Sequence, residues 1–396
     1  MKPLEIKKDI FGVGAIDWNL RDFHGYSTEK GTTYNSYLVM SDKTVLFDTV
    51  KAAFADEFIA DLKSVLGDRK LDYIVSNHAE MDHSGALPAV MQAFRPEKVI
   101  CTKACQDALN RHFHGNDWPF ELIKEGDELN LGNRTVQFFG SAMIHWPESM
   151  VSLLKEDKLL ISNDIFGQHW ATSERYDDEV DQGELSRQSA KYYANIFLPT
   201  SPAVKKFLEK LETKGLEFDM IAPDHGLILR KNLAGSLAAY KAWANWEAKP
   251  KAVVIYDTMW ESTAQMARAI TRGLSGEGVS VKLFDLRTSH RSDIMTDLLD
   301  ARAVVLGSSI LNSGILPKMA DMITYMKGLR PLNKIGASFG SYGWKNTITK
   351  MLNEQLEEMK VELVDEGFSV QYVPSEDDLA TCIELGRKIK NSILGS

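Results

Sequence analysis

The chain is predicted to fold as two domains in a combined α/β and α+β architecture. The first, residues 1–249, is an αββα sandwich of two sheets with helices outside; the second, residues 250–396, is a doubly wound parallel sheet. Three observations carry this reading. Two successive runs of strands are each followed by helices, which suits sheets packed face to face. A polar stretch ending at Pro250 interrupts the pattern, and beyond it strands and helices alternate in units of roughly 30 residues, the spacing of parallel crossovers.

The elements follow in order. Thr33–Met40 and Thr44–Thr49 are β-rich and joined by Ser41-Asp42-Lys43, a hairpin signal. Asp56–Leu66 has the apolar spacing of a helix, and Leu71–Val75 reads as a short buried strand. Lys98–Thr102, Gly132–Gly140, Met150–Leu154 and Lys158–Ser162 supply further strands; Phe207–Thr213 and Ala234–Ala248 read as helices. Proline cannot continue a helix and sets its predecessor extended, so the domain boundary falls at Glu247–Lys251. After it Ala252–Tyr256, Val279–Asp285, Ala303–Leu306, Lys334–Ala337 and Phe368–Tyr372 are five strands, enough for a complete doubly wound sheet.

Composition narrows the function. With 55 acidic against 46 basic residues the net charge is −9, and no Lys/Arg run offers a local exception, so nucleic-acid binding is disfavoured. The three cysteines, Cys101, Cys105 and Cys382, include no CxxC pair and form neither a disulfide framework nor a zinc or rubredoxin-type site. No apolar run matches a signal peptide or the ~20 residues of a membrane span. A cytoplasmic protein is the expectation.

The first chemical constellation follows strand Leu71–Val75, in the run His78-Ala-Glu80-Met-Asp82-His83-Ser-Gly85. These four candidate ligands cannot share one face of a helix or strand, and they suit a loop wrapped around metal. His145, Asp164 and His225 complete the candidates, whereas His112 and His114 read as an ordinary cap or turn pair. The pattern HxExDH followed by a distant His, Asp and His resembles the metallo-β-lactamase superfamily, whose usual loop is HxHxDH with zinc. Here Glu80 stands at the second histidine. A carboxylate adds negative charge and a harder oxygen ligand, which favours iron over zinc. The resemblance implies that His78, Glu80 and His145 hold one iron, and Asp82 and His225 the other, with Asp164 bridging. His83 is a ligand in some relatives and turned away in others.

The second constellation lies at sheet-edge loops of the C-terminal domain. Thr258-Met259-Trp260-Glu261-Ser262-Thr263 leads from the first strand into a helix, and hydroxyls at a helix N-terminus form a phosphate site. Without a Walker lysine or GxGxxG, a monophosphate such as that of FMN fits best. Ser308-Ser309-Ile310-Leu311-Asn312-Ser313-Gly314 and Ser338-Phe339-Gly340-Ser341-Tyr342-Gly343-Trp344 follow the third and fourth strands at the same edge, where open α/β sheets bind ligands. Trp260, Tyr342 and Trp344 are placed to flank a flavin ring. These loops resemble flavodoxin, except that Ile310 stands where relatives often carry a hydroxyl.

The two halves together, with Gly14–Trp18, Asp22–Tyr26 and Tyr192–Ile196, resemble the flavodiiron proteins over essentially the whole chain. They are most similar to the short, rubredoxin:oxygen oxidoreductase type without a C-terminal rubredoxin module. The resemblance implies FMN and two bridged iron ions as cofactors. Reduced FMN and a diferrous pair hold two electrons each, the four that take dioxygen to water; nitric oxide coupling to nitrous oxide needs two. It further implies rubredoxin or an NAD(P)H-linked reductase as electron donor, and a head-to-tail homodimer or a dimer of such dimers. His24, His83 and Tyr193 are expected beside the irons as proton or hydrogen-bond donors. Two other functions remain in competition: a zinc hydrolase with an accessory flavodoxin domain, against which Glu80 speaks, and a plain FMN electron carrier.

Overall fold

In the computed structural model, residues 1–115 and 117–395 are described. They form two compact units. The first comprises Met1–His24, Thr28–Tyr192 and Thr200–Lys241, and the second Gly25–Ser27, Tyr193–Pro199 and Ala242–Ser396.

The first unit is the expected sandwich. Its first sheet has seven strands, with Thr32–Met40 and Thr44–Phe47 paired antiparallel as the predicted hairpin and Tyr73–Val75, Lys98–Cys101 and Phe120–Leu122 added in parallel. Two strands ahead of the hairpin, Leu4–Lys7 and Ile10–Asp17, extend it on the other side. The second sheet is antiparallel from Glu128–Asn130 through Leu159–Asn163 and gains Met220–Pro223 in parallel. Strand Thr32–Met40 is buried almost throughout because both its faces are covered. Tyr37 and Val39 point into the core shared with Phe138, Met150 and Ile161 of the other sheet. The alternate residues Tyr34 and Leu38 meet helix side chains Phe58, Leu62 and Val90. Helix Ser201–Thr213 buries Val204, Phe207, Leu208 and Leu211, and its Lys210 Nζ donates to the Gly140 carbonyl at 2.8 Å.

The second unit holds a parallel sheet in the order Ser280–Asp285, Lys249–Tyr256, Ala301–Leu311, Ile335–Tyr342, with Glu362–Leu363 and Phe368–Gln371 both pairing the last. The first strand thus lies between the second and third, so the chain reverses direction of travel beside it. Helices Ser262–Leu274 and Glu376–Leu394 cover one face, burying Met266, Ile270, Cys382 and Ile389 against Val254, Val305 and Ala337. Gly273 and Gly386 permit this close pairing of helices: a Cβ on Gly273 would lie 2.0 Å from the Ile383 carbonyl oxygen.

Several boundaries differ from the sequence reading. The third and fourth strands run further than expected, to Leu311 and Tyr342, because Ser308–Ser309 pairs in register with Gly340–Ser341. Much of the two expected binding loops is therefore strand. Asn312 and Ser313, both at positive φ (50° and 61°), make the tight turn of a hairpin back to Gly314–Ile315. The last helix before the boundary ends at Ala244 rather than Ala248, and Pro250 sits near the start of a strand, where its missing N–H is tolerated.

Candidate metal centre and flavin cleft

Four of the candidate ligands of the first unit emerge beyond strand ends. His78 follows Tyr73–Val75, His145 follows Thr135–Gly140, Asp164 follows Leu159–Asn163 and His225 follows Met220–Pro223. Sheet pairing brings residues distant in sequence to one edge of the sandwich. Asp82 and His83 lie on a single helical turn, Met81–Ser84, where a wrapped loop was expected.

Two ligand groups result. His78, Glu80, His145 and Asp164 form one, and Asp82, His83 and His225 the other, each with its donor atoms within 4.8 Å of one another. His78 Nε2 lies 3.2 Å from both Glu80 Oε2 and Asp164 Oδ2, and His145 Nε2 is 3.1 Å from the same two oxygens. The other oxygen of Asp164, Oδ1, is 3.1 Å from His83 Nε2 and 3.4 Å from His225 Nε2. His225 Nε2 is also 3.2 Å from Asp82 Oδ2. One carboxylate therefore faces both groups.

The electrostatics show what such a cage attracts. Burial opposes a proton on His78, yet hydrogen bonds to Asp164, Glu148 and Glu80 outweigh it and hold its pKa well above the ordinary imidazole value. Against the same burial, carboxylates push His145 up to about 9 and His83 up to about 10. Burial would raise Asp164, but His83, His145 and His78 hold it well below the usual carboxylate range. The carboxylates draw positive charge into the cage.

Supporting groups orient the rings. His78 Nδ1 lies 2.8 Å from Glu148 Oε1, which also accepts from the Ala79 amide at 3.0 Å, and His225 Nδ1 is 2.6 Å from the Thr33 carbonyl. Tyr192 donates its hydroxyl to Asp164 Oδ1 at 3.1 Å. Tyr193, the tyrosine expected beside the irons, is one residue on. That residue begins the π-helical segment Tyr193–Phe197 and packs its ring on Phe197 and Trp243, while Tyr192 ends the preceding helix with a different heading. His24 Nε2 is 3.6 Å from Glu80 Oε1, on a largely exposed side chain. His169, buried with its ring 4.9 Å from that of His225, is a neighbour the sequence did not single out.

In the second unit a cleft of about 590 Å³ opens at the carboxyl edge of the sheet. Met259, Trp260, Ser262, Ser309, Ile310, Leu311, Asn312, Ser313, Ser341, Tyr342, Gly343 and Trp344 line it, joined by Lys345, Tyr372 and Val373, which were not foreseen. Beneath it Thr263 Oγ1 lies 2.8 Å from Ser309 Oγ and 3.0 Å from Ser341 Oγ. Several of the other predicted residues have partners away from the cleft. Ser308 Oγ donates to its neighbour's carbonyl and Ser338 Oγ to that of Thr349; Phe339 is in the core, and Glu261 pairs with Arg287. Gly340 sits against Ile348, and Gly314 closes the hairpin.

Residues 32–226 match the family described as ODP family beta lactamase, and residues 254–386 match flavodoxin. A nitric oxide reductase of Moorella thermoacetica is 46% identical over 391 residues, 98% of each chain. A rubredoxin-oxygen oxidoreductase of Megalodesulfovibrio gigas is 47% identical over 92% of each. The crystal structure of the flavodiiron protein from Giardia intestinalis superposes with a TM-score of 0.95 at 30% identity, covering 100% of this chain and 97% of that one. The chain belongs to the flavodiiron family.

The residues present fit the two cofactors of a flavodiiron oxidoreductase, FMN and a pair of iron ions. Asp82 is 5% exposed, and neither of its oxygens has a hydrogen-bond partner among the described residues. A buried carboxylate left so is costly unless a cation lies against it. The nitrogen and oxygen donor set, without thiolate, suits iron. The flavin cleft has the size of a cofactor site, and the buried Thr258 Oγ1 just ahead of helix Ser262–Leu274 has no partner among the described residues. Thr258 could donate to an FMN phosphate held at that helix terminus.

Proposed function

We propose that this flavodiiron oxidoreductase reduces dioxygen to water, nitric oxide to nitrous oxide, or both, with electrons entering from rubredoxin or an NAD(P)H-linked reductase. The observation that carries the reading is Asp164, whose two oxygens face separate ligand groups as a bridging carboxylate must. His78, Glu80 and His145 would hold one iron, and Asp82, His83 and His225 the other. When bound, the irons supply a gas-binding template and two electrons, and reduced FMN two more. The chain's own residues then hold the ligands in place: Glu148 and the Thr33 carbonyl fix two rings, and the Tyr192 hydroxyl steadies the bridging oxygen.

A head-to-tail homodimer is part of the same proposal. Trp260 and Trp344 are 88% and 91% exposed at the mouth of the flavin cleft, beside exposed Tyr372 and Val373. Apolar surface of this kind suits cover by a second copy. No described helix is long and apolar enough to cross a membrane, and the proposed setting is the cytoplasm.

The test is anaerobic reduction of the full chain loaded with iron and FMN, followed by stopped-flow mixing with each gas. Reoxidation of both centres with water or nitrous oxide as product supports the reading, and the faster gas defines the preference. Full zinc occupancy without iron, together with hydrolase turnover, would overturn it.

A further inference from the structure

Three histidines of the cage have their outward ring nitrogens near an oxygen of the protein, but not equally. Those of His78 and His225 are at 2.8 Å and 2.6 Å from Glu148 and the Thr33 carbonyl. For His83 the facing group is Asp224, with Oδ2 3.6 Å from Nδ1. Neither nitrogen of His83 and neither oxygen of Asp224 has a hydrogen-bond partner among the described residues, and both side chains are fully buried. Two buried polar groups with no other protein partner among the described residues, facing one another, are each other's nearest candidate partner.

Their surroundings leave little alternative. The Asp224 backbone is pinned on both sides, its carbonyl accepting from the Asn35 amide at 2.7 Å and its amide donating to the Asn163 carbonyl at 2.8 Å. The His83 carbonyl accepts from Thr49 N and Thr49 Oγ1 at 2.8 Å and 2.6 Å. Small side-chain rotations therefore close the gap while both backbones stay in place. The other buried carboxylate nearby, Asp48, is already occupied by the Asn77 amide and Asn77 Nδ2, each at 2.7 Å.

We infer that Asp224 is a positioning residue: it accepts the Nδ1–H of His83 and so presents Nε2 as a ligand of the second iron. A neutral imidazole carries one N–H, so placing it on Nδ1 leaves the Nε2 lone pair free to hold a cation shared with Asp164 Oδ1 and Asp82 Oδ1, 3.1 Å and 3.5 Å away. A carboxyl keeps an acceptor oxygen whether ionised or not, so the role does not depend on its charge. The inference rests on the diiron reading above and resolves the one ligand that the sequence left open.

The experiment loads full-length protein with ferrous ion anaerobically and measures iron per chain, and each iron's affinity, by chelator competition. Asp224→Ala, Asp224→Asn, His83→Ala and the Asp224→Ala/His83→Ala double variant are compared, with FMN content reporting a folded chain. Asp224→Ala is expected to weaken one of the two irons by roughly 10–100-fold and leave the other unchanged. Asp224→Asn, which keeps an acceptor oxygen, should stay within several-fold of the unaltered protein. The double variant should bind no more weakly than His83→Ala, because the aspartate acts through the histidine. Wild-type affinity in Asp224→Ala, equal losses in the alanine and asparagine variants, or additive losses in the double variant would each overturn the inference. If the unaltered, FMN-loaded chain fails to hold two irons, the diiron reading itself fails.

Discussion

At the residue scale, the cage depends on groups that cannot be exchanged for shape alone. Asp164 touches both ligand groups, so Asp164→Ala should lose iron from both positions, whereas His78→Ala should lose it from one. Elemental analysis of the variants, with the yellow flavin absorbance retained, checks this; two irons in either variant would remove that residue from the site. Glu148 acts one step further out. Glu148→Ala leaves His78 Nδ1 without its carboxylate and should weaken iron binding by about 10–100-fold, measured by chelator competition. The candidate ligands stood out in sequence because four of them crowd into His78–His83, a density that ordinary turns do not need. Glu148, Asp224 and His169 were not legible as partners, since each is a lone polar residue whose role appears only when strand ends converge. Tyr192 was missed by one position, where an α-helix gives way to a π-helical turn and neighbouring side chains part.

At the scale of elements, the C-terminal sheet shows which features of a pattern are local. Short β-branched runs such as Ala252–Tyr256 identified the strands, but their ends were set by partners: Ser308–Leu311 and Ser338–Tyr342 look like loop sequence, yet Ser308–Ser309 is held by Gly340–Ser341, Ile310–Leu311 by Gly314–Ile315 and Tyr342 by Gln371. Helix contact was equally invisible, because Gly273 and Gly386 only acquire meaning when Ser262–Leu274 lies on Glu376–Leu394. Gly273→Ala drives a methyl into the Ile383 backbone and should destabilise this unit by about 1–3 kcal/mol, read as a lower urea midpoint. Lys334 opens strand Ile335–Tyr342 at 2% exposure, and burial pushes its ammonium down to about 7, with Asp300 offsetting only part of the effect. The unfolded chain protonates this lysine below its ordinary 10.5, while the folded chain does so only near 7. The resulting penalty is absent above the higher value, grows as pH falls between the two, and is complete below the lower. Lys334→Met should therefore be more stable than the parent at neutral pH. The gap should close toward pH 10 with a slope of at most about 1.4 kcal/mol per pH unit, measured by urea unfolding across that range. A gap independent of pH would show that the lysine is charged in the fold.

For the whole molecule, the decisive quantity is the number of electrons held when the substrate arrives. The iron cage belongs to one compact unit and the flavin cleft to the other, each built from its own residues. Removing FMN from the full chain should therefore leave the iron cage filled, and removing iron should leave the chain yellow. Anaerobic reductive titration should count four electrons per chain with both cofactors and two with either alone. The two gases then separate. Coupling two nitric oxide molecules needs two electrons, so a flavin-free, diferrous chain should still give one nitrous oxide in a single turnover. Taking dioxygen to water needs four, so the same chain should release hydrogen peroxide where the complete protein gives water. A peroxide assay and headspace nitrous oxide measurement on one flavin-depleted preparation test both halves of the prediction. Water as the sole product of oxygen reduction by flavin-free chains, with no other reductant present, would mean that the second pair of electrons comes from elsewhere in the protein.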